Sequence, residues 1–163
     1  MPLLDHTIVA SDDHRHAAAF VAELLGLPGP VTLGPFEVVR VGETTTLDFM
    51  HADGPITSQH YAFLVTEAEF DEIFGRIVER GMPYWADPGH GQPGEFNTWD
   101  GGRGVYFDDP SGHLLEIVTR PYGSGGSTAA RPHPLLAETP APTEGRGRSA
   151  RRPGGASRNR QPT

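Results

Sequence analysis

Glu116 stands where an unpartnered carboxylate would destabilise a fold. It lies in GVYFDDPSGHLLEIVTR, residues 104–120, where two apolar runs flank Asp109-Pro110-Ser111-Gly112. Proline presets φ and glycine accepts φ > 0, so the tetrapeptide is a turn and the stretch a hairpin. In its second strand Leu114, Glu116 and Val118 share one face, and Leu115, Ile117 and Thr119 the other. A carboxylate between two apolar neighbours needs a cation, a hydrogen-bond partner or a raised pKa. The pattern recurs upstream, where Leu47-Asp48-Phe49-Met50 matches Leu115-Glu116-Ile117-Val118. His6 and His60 stand at a matching point on two earlier apolar stretches, LDHTIVA and QHYAFLV. Imidazole and carboxylate are the groups that bind cations or move protons near neutral pH. A lone strand histidine is more often a hydrogen-bonded core residue, so the repeat of the pair is what raises the chemistry.

The elements that must position these residues also come in two copies. Residues 3–10 form a strand with His6, Ile8 and Ala10 on one face. Ser11 is the expected N-cap, followed by a helical stripe of Phe20, Val21, Leu24 and Leu25 and a stop at Gly26. Three short strands follow, at 31–33, 36–41 and 44–50. The order restarts after Asp53-Gly54-Pro55: a strand at 59–65, then a helix opened by a Thr66–Glu69 capping box and closed at Gly81. A strand at 83–86, a long loop at 87–102 and the hairpin complete the second copy. The expectation is an α+β fold of two βαβββ modules, about 3–52 and 58–122, in a curled mixed sheet. The internal duplication places a histidine on each first strand and an acid on each last strand.

Composition bounds the rest. Residues 1–122 carry 6 Arg against 19 Asp and Glu, whereas residues 123–163 carry 7 Arg against 2 Glu. The second segment is rich in Arg, Gly and Pro, and its only large apolar residues are Leu135 and Leu136, so a disordered tail is expected. It has no interleaved aromatic residues, which argues against nucleic-acid binding. The chain has no cysteine and no lysine, which excludes disulfides, thiolate chemistry and a lysine Schiff base. No apolar run approaches the ~20 residues that span a bilayer, and the N-terminus lacks a signal-peptide pattern. A cytoplasmic protein without membrane contact is the expectation.

Taken together, LDHTIVAS, QHYAFLV and YFDDPSGHLLEI resemble the vicinal oxygen chelate superfamily over about residues 3–122. That superfamily includes glyoxalases, extradiol dioxygenases, methylmalonyl-CoA epimerase, fosfomycin-resistance thiol transferases and bleomycin-resistance proteins. The resemblance implies paired βαβββ modules curled around a divalent metal, and a homodimer whose subunits share the sites. Carried over by position, it implies His6, His60 and Glu116 as metal ligands. Two imidazoles and one carboxylate leave positions open on Fe, Mn, Zn or Ni, where two neighbouring substrate oxygens could chelate. Asp48 falls where relatives carry a fourth ligand or a catalytic base, and Tyr106 where the dioxygenases carry an acid or hydrogen-bond donor. The dioxygenase pattern also calls for a histidine near residues 97–99, and this chain has none there. Glyoxalase-type lyase or isomerase chemistry is therefore expected ahead of ring cleavage, with thiol transfer a further candidate reaction.

Three further residues are candidates for contact with a small-molecule ligand. Trp99 could stack on a flat ligand, and Arg103 could hold an anionic group unless it is paired with Asp108 or Asp109. Phe63, with Trp85, Trp99, Phe36 and Tyr106, could line an aromatic cup. That last set is what a bleomycin-resistance type of protein would need to sequester an aromatic antibiotic without turnover, which is the alternative to an enzyme. A metal-free domain whose polar residues bond one another is the third reading.

Overall fold

The computed structural model describes residues 1–125 and 130–137. Strand β1 (His6–Ser11) leads through helix α1 (His14–Leu25) to β2 (Val31–Leu33), β3 (Phe36–Val41) and β4 (Thr45–His51). The second copy comprises β5 (His60–Leu64), α2 (Glu67–Glu79), β6 (Gly104–Asp108) and β7 (Leu114–Val118), and a short helical turn, α3 (Pro134–Ala137), follows. The first sheet runs β1-β4-β3-β2, with β1 parallel to β4 and the other pairs antiparallel. The second runs β5-β7-β6, with β5 parallel to β7 and β6 antiparallel to it. The α+β architecture of two small mixed sheets with their helices is the one expected.

The duplication holds at the level of register. His6 lies opposite Thr46, two residues before Asp48. His60 lies opposite Leu114, two residues before Glu116. Between the modules, α1 contributes Ala17, Ala18, Val21, Ala22 and Leu24 to one apolar core, which α2 enters through Phe70, Ile73 and Ile77. The capping box at Thr66 and Glu69 forms, and Gly26 closes α1 at φ +71°. Ser11 does not cap α1. It stays in the parallel ladder opposite His51, and Asp13 takes the cap by accepting from the His16 N–H at 3.0 Å.

One expectation on the second copy is corrected. The strand at 83–86 shrinks to two isolated bridges at Trp85, one to Pro93 and one to Tyr106, with which it exchanges two 2.9 Å backbone bonds. Pro83 has no N–H to donate, and Asp87 bends the chain away by accepting from the N–H groups of Gly89, Gly91 and Gln92. Beyond the second copy, where a disordered tail is the expectation, the described residues include His133, which is 4% exposed and lies against Trp99 and Tyr122. The burial of one imidazole between two aromatic rings supplies contact that composition alone does not reveal. The remainder of that tail, including most of its arginines, lies outside the described residues. Among the described residues no helix is long and apolar enough to cross a membrane.

Candidate metal centre

Strand β7 carries Glu116 between its two neighbours, opposite Ala62 of β5 and Tyr106 of β6. The carboxylate is 0% exposed and Tyr106 1%. His60 projects from the adjacent strand, its Nε2 3.4 Å from Glu116 Oε2. The His60 Nδ1 lies 3.1 Å from the Leu114 carbonyl oxygen, which can only accept. The Nδ1 therefore carries the proton in the neutral ring, and Nε2 turns a lone pair toward the carboxylate. Two lone pairs facing each other call for a proton or a cation between them.

A third residue completes the local network. The Tyr122 hydroxyl donates a short hydrogen bond to Glu116 Oε2. With its proton so committed, Tyr122 accepts from the Tyr106 hydroxyl, 3.0 Å away. The order is thus Tyr106 to Tyr122 to Glu116. Glu116 Oε1 is buried with no partner among the described residues. Burial pushes the Glu116 carboxyl above its ordinary value, opposed by the hydroxyls of Tyr122 and Tyr106 and by His60 and His133 nearby. Burial also pushes both phenols up, and hydrogen bonding and the Glu116 charge add to the shift. Tyr106 and Tyr122 therefore stay protonated as donors across the physiological range.

These groups border a cavity of about 650 Å³, lined by His60, Trp99, Tyr106, Tyr122, His133 and Leu135 among others. Its size suits a small molecule and its walls are largely apolar. Trp99 sits in a 3-10 turn, Trp99–Gly101, with its ring 6.4 Å from that of Tyr106. The donor set fits a divalent cation in part: an imidazole lone pair and a buried carboxylate oxygen without a partner among the described residues.

Sequence expectations divide sharply here. The structure brings together His60, Glu116, Tyr106 and Trp99. His6 and Asp48 lie together in the other sheet. His6 is half-exposed and bonds Asp5 at 2.8 Å, while Asp48 accepts from the Thr46 hydroxyl at 2.7 Å. Among the described residues, no three His, Asp or Glu side chains converge on one point, so the expected triad is not assembled within one chain. The reason is topological: β1 belongs to one sheet and β5 and β7 to the other.

Arg103 does not reach the cavity. Its guanidinium is clamped by Glu67 and Asp71 of α2, each at 2.6 Å, and lies 4.3 Å above the Phe70 ring. Neither Asp108 nor Asp109 is its partner. Phe63 falls on the face of β5 opposite His60 and packs against the core. Trp85 stacks on His90 at 3.7 Å, away from the cavity lining. Sequence reading missed Tyr122 and His133. The available signals were the last aromatic before the composition change and the one histidine of an arginine-rich tail, two residues before Leu135.

Comparison with known proteins places these features in a family. A family model of the glyoxalase/bleomycin resistance protein/dioxygenase superfamily matches residues 3–117. The structure of the oxidase ChaP-H1 superposes with a TM-score of 0.74 at 60% sequence identity, over 76% of this chain and 99% of that one. Glutathione transferase FosA of Serratia marcescens is 28% identical over 134 residues, 78% of this chain and 84% of its own. Metallothiol transferase FosB of Shouchella clausii is 38% identical over 60 residues, 37% of either chain. The repeated register, the pairing of His60 with the buried Glu116 and the family match over most of the described residues lead to one conclusion: this chain belongs to the glyoxalase/bleomycin resistance protein/dioxygenase superfamily.

Proposed function

We propose that the protein is a metal-dependent oxidase that binds a small molecule through two neighbouring oxygens, with each site shared between two copies of the chain. The observation that carries this is Glu116, fully buried, with one oxygen bonded by Tyr122 and facing the Nε2 of His60 and the other without a partner among the described residues. In this reading His60 and Glu116 hold the metal from one chain, and His6 of a second copy supplies the third ligand. Equivalent register in the two half-sites supports the sharing, since a two-fold arrangement brings unlike halves together twice. The His60 face of β5 also leaves Leu64 exposed, and the His6 face of β1 leaves Ile8 exposed, as unmated surfaces.

When bound, the metal supplies Lewis acidity toward the substrate oxygens and, if redox-active, a path for electrons to dioxygen. The chain's own residues do the remaining work. Tyr122 fixes the orientation of Glu116 and, through Tyr106, keeps the carboxylate supplied with a hydrogen bond. Trp99 and Tyr106 offer flat faces to the substrate and exclude water from the carboxylate. The name of the 60%-identical structure favours oxidase chemistry over the lyase or isomerase chemistry expected from sequence.

The test is metal content and complementation. Purified without chelators, the full chain is expected to hold about one transition metal per chain, and Glu116→Ala none. His6→Ala should also lose the metal. Mixing His6→Ala with Glu116→Ala and reassembling should restore about one site in four, because a mixed dimer regenerates one intact site of its two. Full metal occupancy in Glu116→Ala would sink the ligand assignment. No restoration on mixing would sink the shared site. Iron in the wild type with dioxygen uptake on vicinal diols would support the oxidase assignment.

A further inference from the structure

One wall of the cavity comes from neither the sheets nor the 87–102 loop. Residues 130–137 cross it, and His133, Pro134 and Leu135 line it. The His133 ring lies 4.7 Å from that of Trp99 and 4.0 Å from that of Tyr122, the residue bonded to Glu116.

A built attachment holds this segment. Asp100 is 3% exposed and adopts φ +54°, a conformation that aspartate and asparagine tolerate better than most residues. Its Oδ2 accepts from the Gly123 N–H at 2.7 Å, and its Oδ1 from the His133 N–H at 3.4 Å. Its own N–H donates to the Arg131 carbonyl at 2.7 Å. The Arg131 guanidinium reaches the Thr98 hydroxyl at 3.2 Å. One buried acid thus grips the chain on both sides of residues 126–129. The His133 Nδ1 accepts from the Leu135 N–H at 3.2 Å, so its Nε2 carries the proton. That Nε2 is buried without a partner among the described residues.

The match to ChaP-H1 takes in 99% of that chain but 76% of this one, and the family model ends at residue 117. The family model thus stops short of this segment. We propose that residues 130–137 are a strap, clasped by Asp100, that walls the cavity and sets the size of ligand it admits. This rests on the cavity being the ligand site of the proposed function.

The test uses the full chain in a Trp85→Phe background, which leaves Trp99 as the only tryptophan. Asp100→Asn keeps a residue suited to φ > 0 but turns one acceptor into an amide group facing a backbone donor. His133→Ala removes the ring. Hydrogen exchange across 130–137 is expected to be protected in the parent and about tenfold faster in Asp100→Asn, the scale of one lost bond to a charged group. Acrylamide should quench Trp99 more strongly in both variants. Catechol and 2,3-dihydroxynaphthalene, each read from Trp99 emission with and without Mn(II), give the size test. Both variants should shift the affinity ratio at least about threefold toward the larger diol, as loss of part of a packed pocket wall does.

Unprotected amides at 130–137 in the parent, or an unchanged ratio, would overturn the proposal. Failure of both diols to bind would overturn the strap as a wall of a diol site. Exchange and quenching do not depend on metal. Protection with no Mn(II) uptake in any protein would therefore place the failure in the metal assignment and leave the clasp standing.

Discussion

In the first sheet His6 lies opposite Thr46 and Asp48 follows two residues on; in the second, His60 lies opposite Leu114 and Glu116 follows two residues on. The backbone thus sets the same pair of side chains twice. Their surroundings differ. Asp48 is partly exposed and takes the hydroxyl of Thr46 from its own strand, and His6 turns to Asp5. Glu116 is sealed under Tyr106, Tyr122 and His60, with one oxygen lacking a partner. The first half-site has its polar groups satisfied locally or by solvent. The second has a buried charge that only a cation or a proton can balance. The duplicated frame is covered unequally, because the loop within the second module and the segment after it line the cavity beside His60 alone.

The largest expected effect breaks that asymmetry directly. His60→Ala or Glu116→Ala should weaken metal binding more than about 100-fold, whereas Asp48→Asn should change it less than about threefold, by titration with Mn(II) or Fe(II). An equal loss in Asp48→Asn would make the two half-sites functionally alike.

A smaller effect separates the hydroxyls that serve the two acids. Tyr122→Phe should cost about tenfold in metal affinity, the scale of an outer hydrogen bond to a ligand. Thr46→Val should leave affinity unchanged in the same titration, since Asp48 can turn to water.

Stability against pH sharpens the comparison without metal. Burial raises the folded-state pKa of Glu116 above its unfolded value of about 4.3. Between the two values the folded state holds more protons, so stability falls as pH rises through that window and levels above it. In the metal-free protein, Glu116→Gln should therefore gain stability at neutral pH by about 1–2 kcal/mol, the scale of one poorly solvated acceptor. The gain should vanish well below pH 4, in denaturant melts across pH. Asp48→Asn should show no such pH-dependent gain.

The smallest expected effect falls on Arg103. Arg103→Ala should lower stability by about 1 kcal/mol through loss of its contacts with Glu67, Asp71 and Phe70, and leave Mn(II) affinity unchanged.

Much of the frame could be read from local chemistry. The Asp109–Gly112 turn, the Thr66–Glu69 capping box and the Gly26 stop each depend on a few adjacent residues, and each forms as expected. The repeat of histidine and acid was legible because a strand alternates with period two, whatever it packs against. Trp85 shows the limit: its neighbours read as a strand, yet Pro83 and the turn built on Asp87 left only isolated bridges at Trp85. Arg103 shows another, since acids one helix away outcompeted Asp108 and Asp109 beside it in sequence.

What the sequence by itself determined is therefore the duplicated order of elements and the face on which each chemistry-bearing side chain emerges, because both follow from short-range backbone preference and side-chain period. Tertiary structure alone decided which of those side chains meet. It separated His6 from Glu116 by placing them in different sheets, and it seated Tyr122 and His133, from beyond the last strand, over the buried carboxylate. Such contacts join residues distant along the chain, and their energy comes from burial and hydrogen bonding that no local pattern encodes.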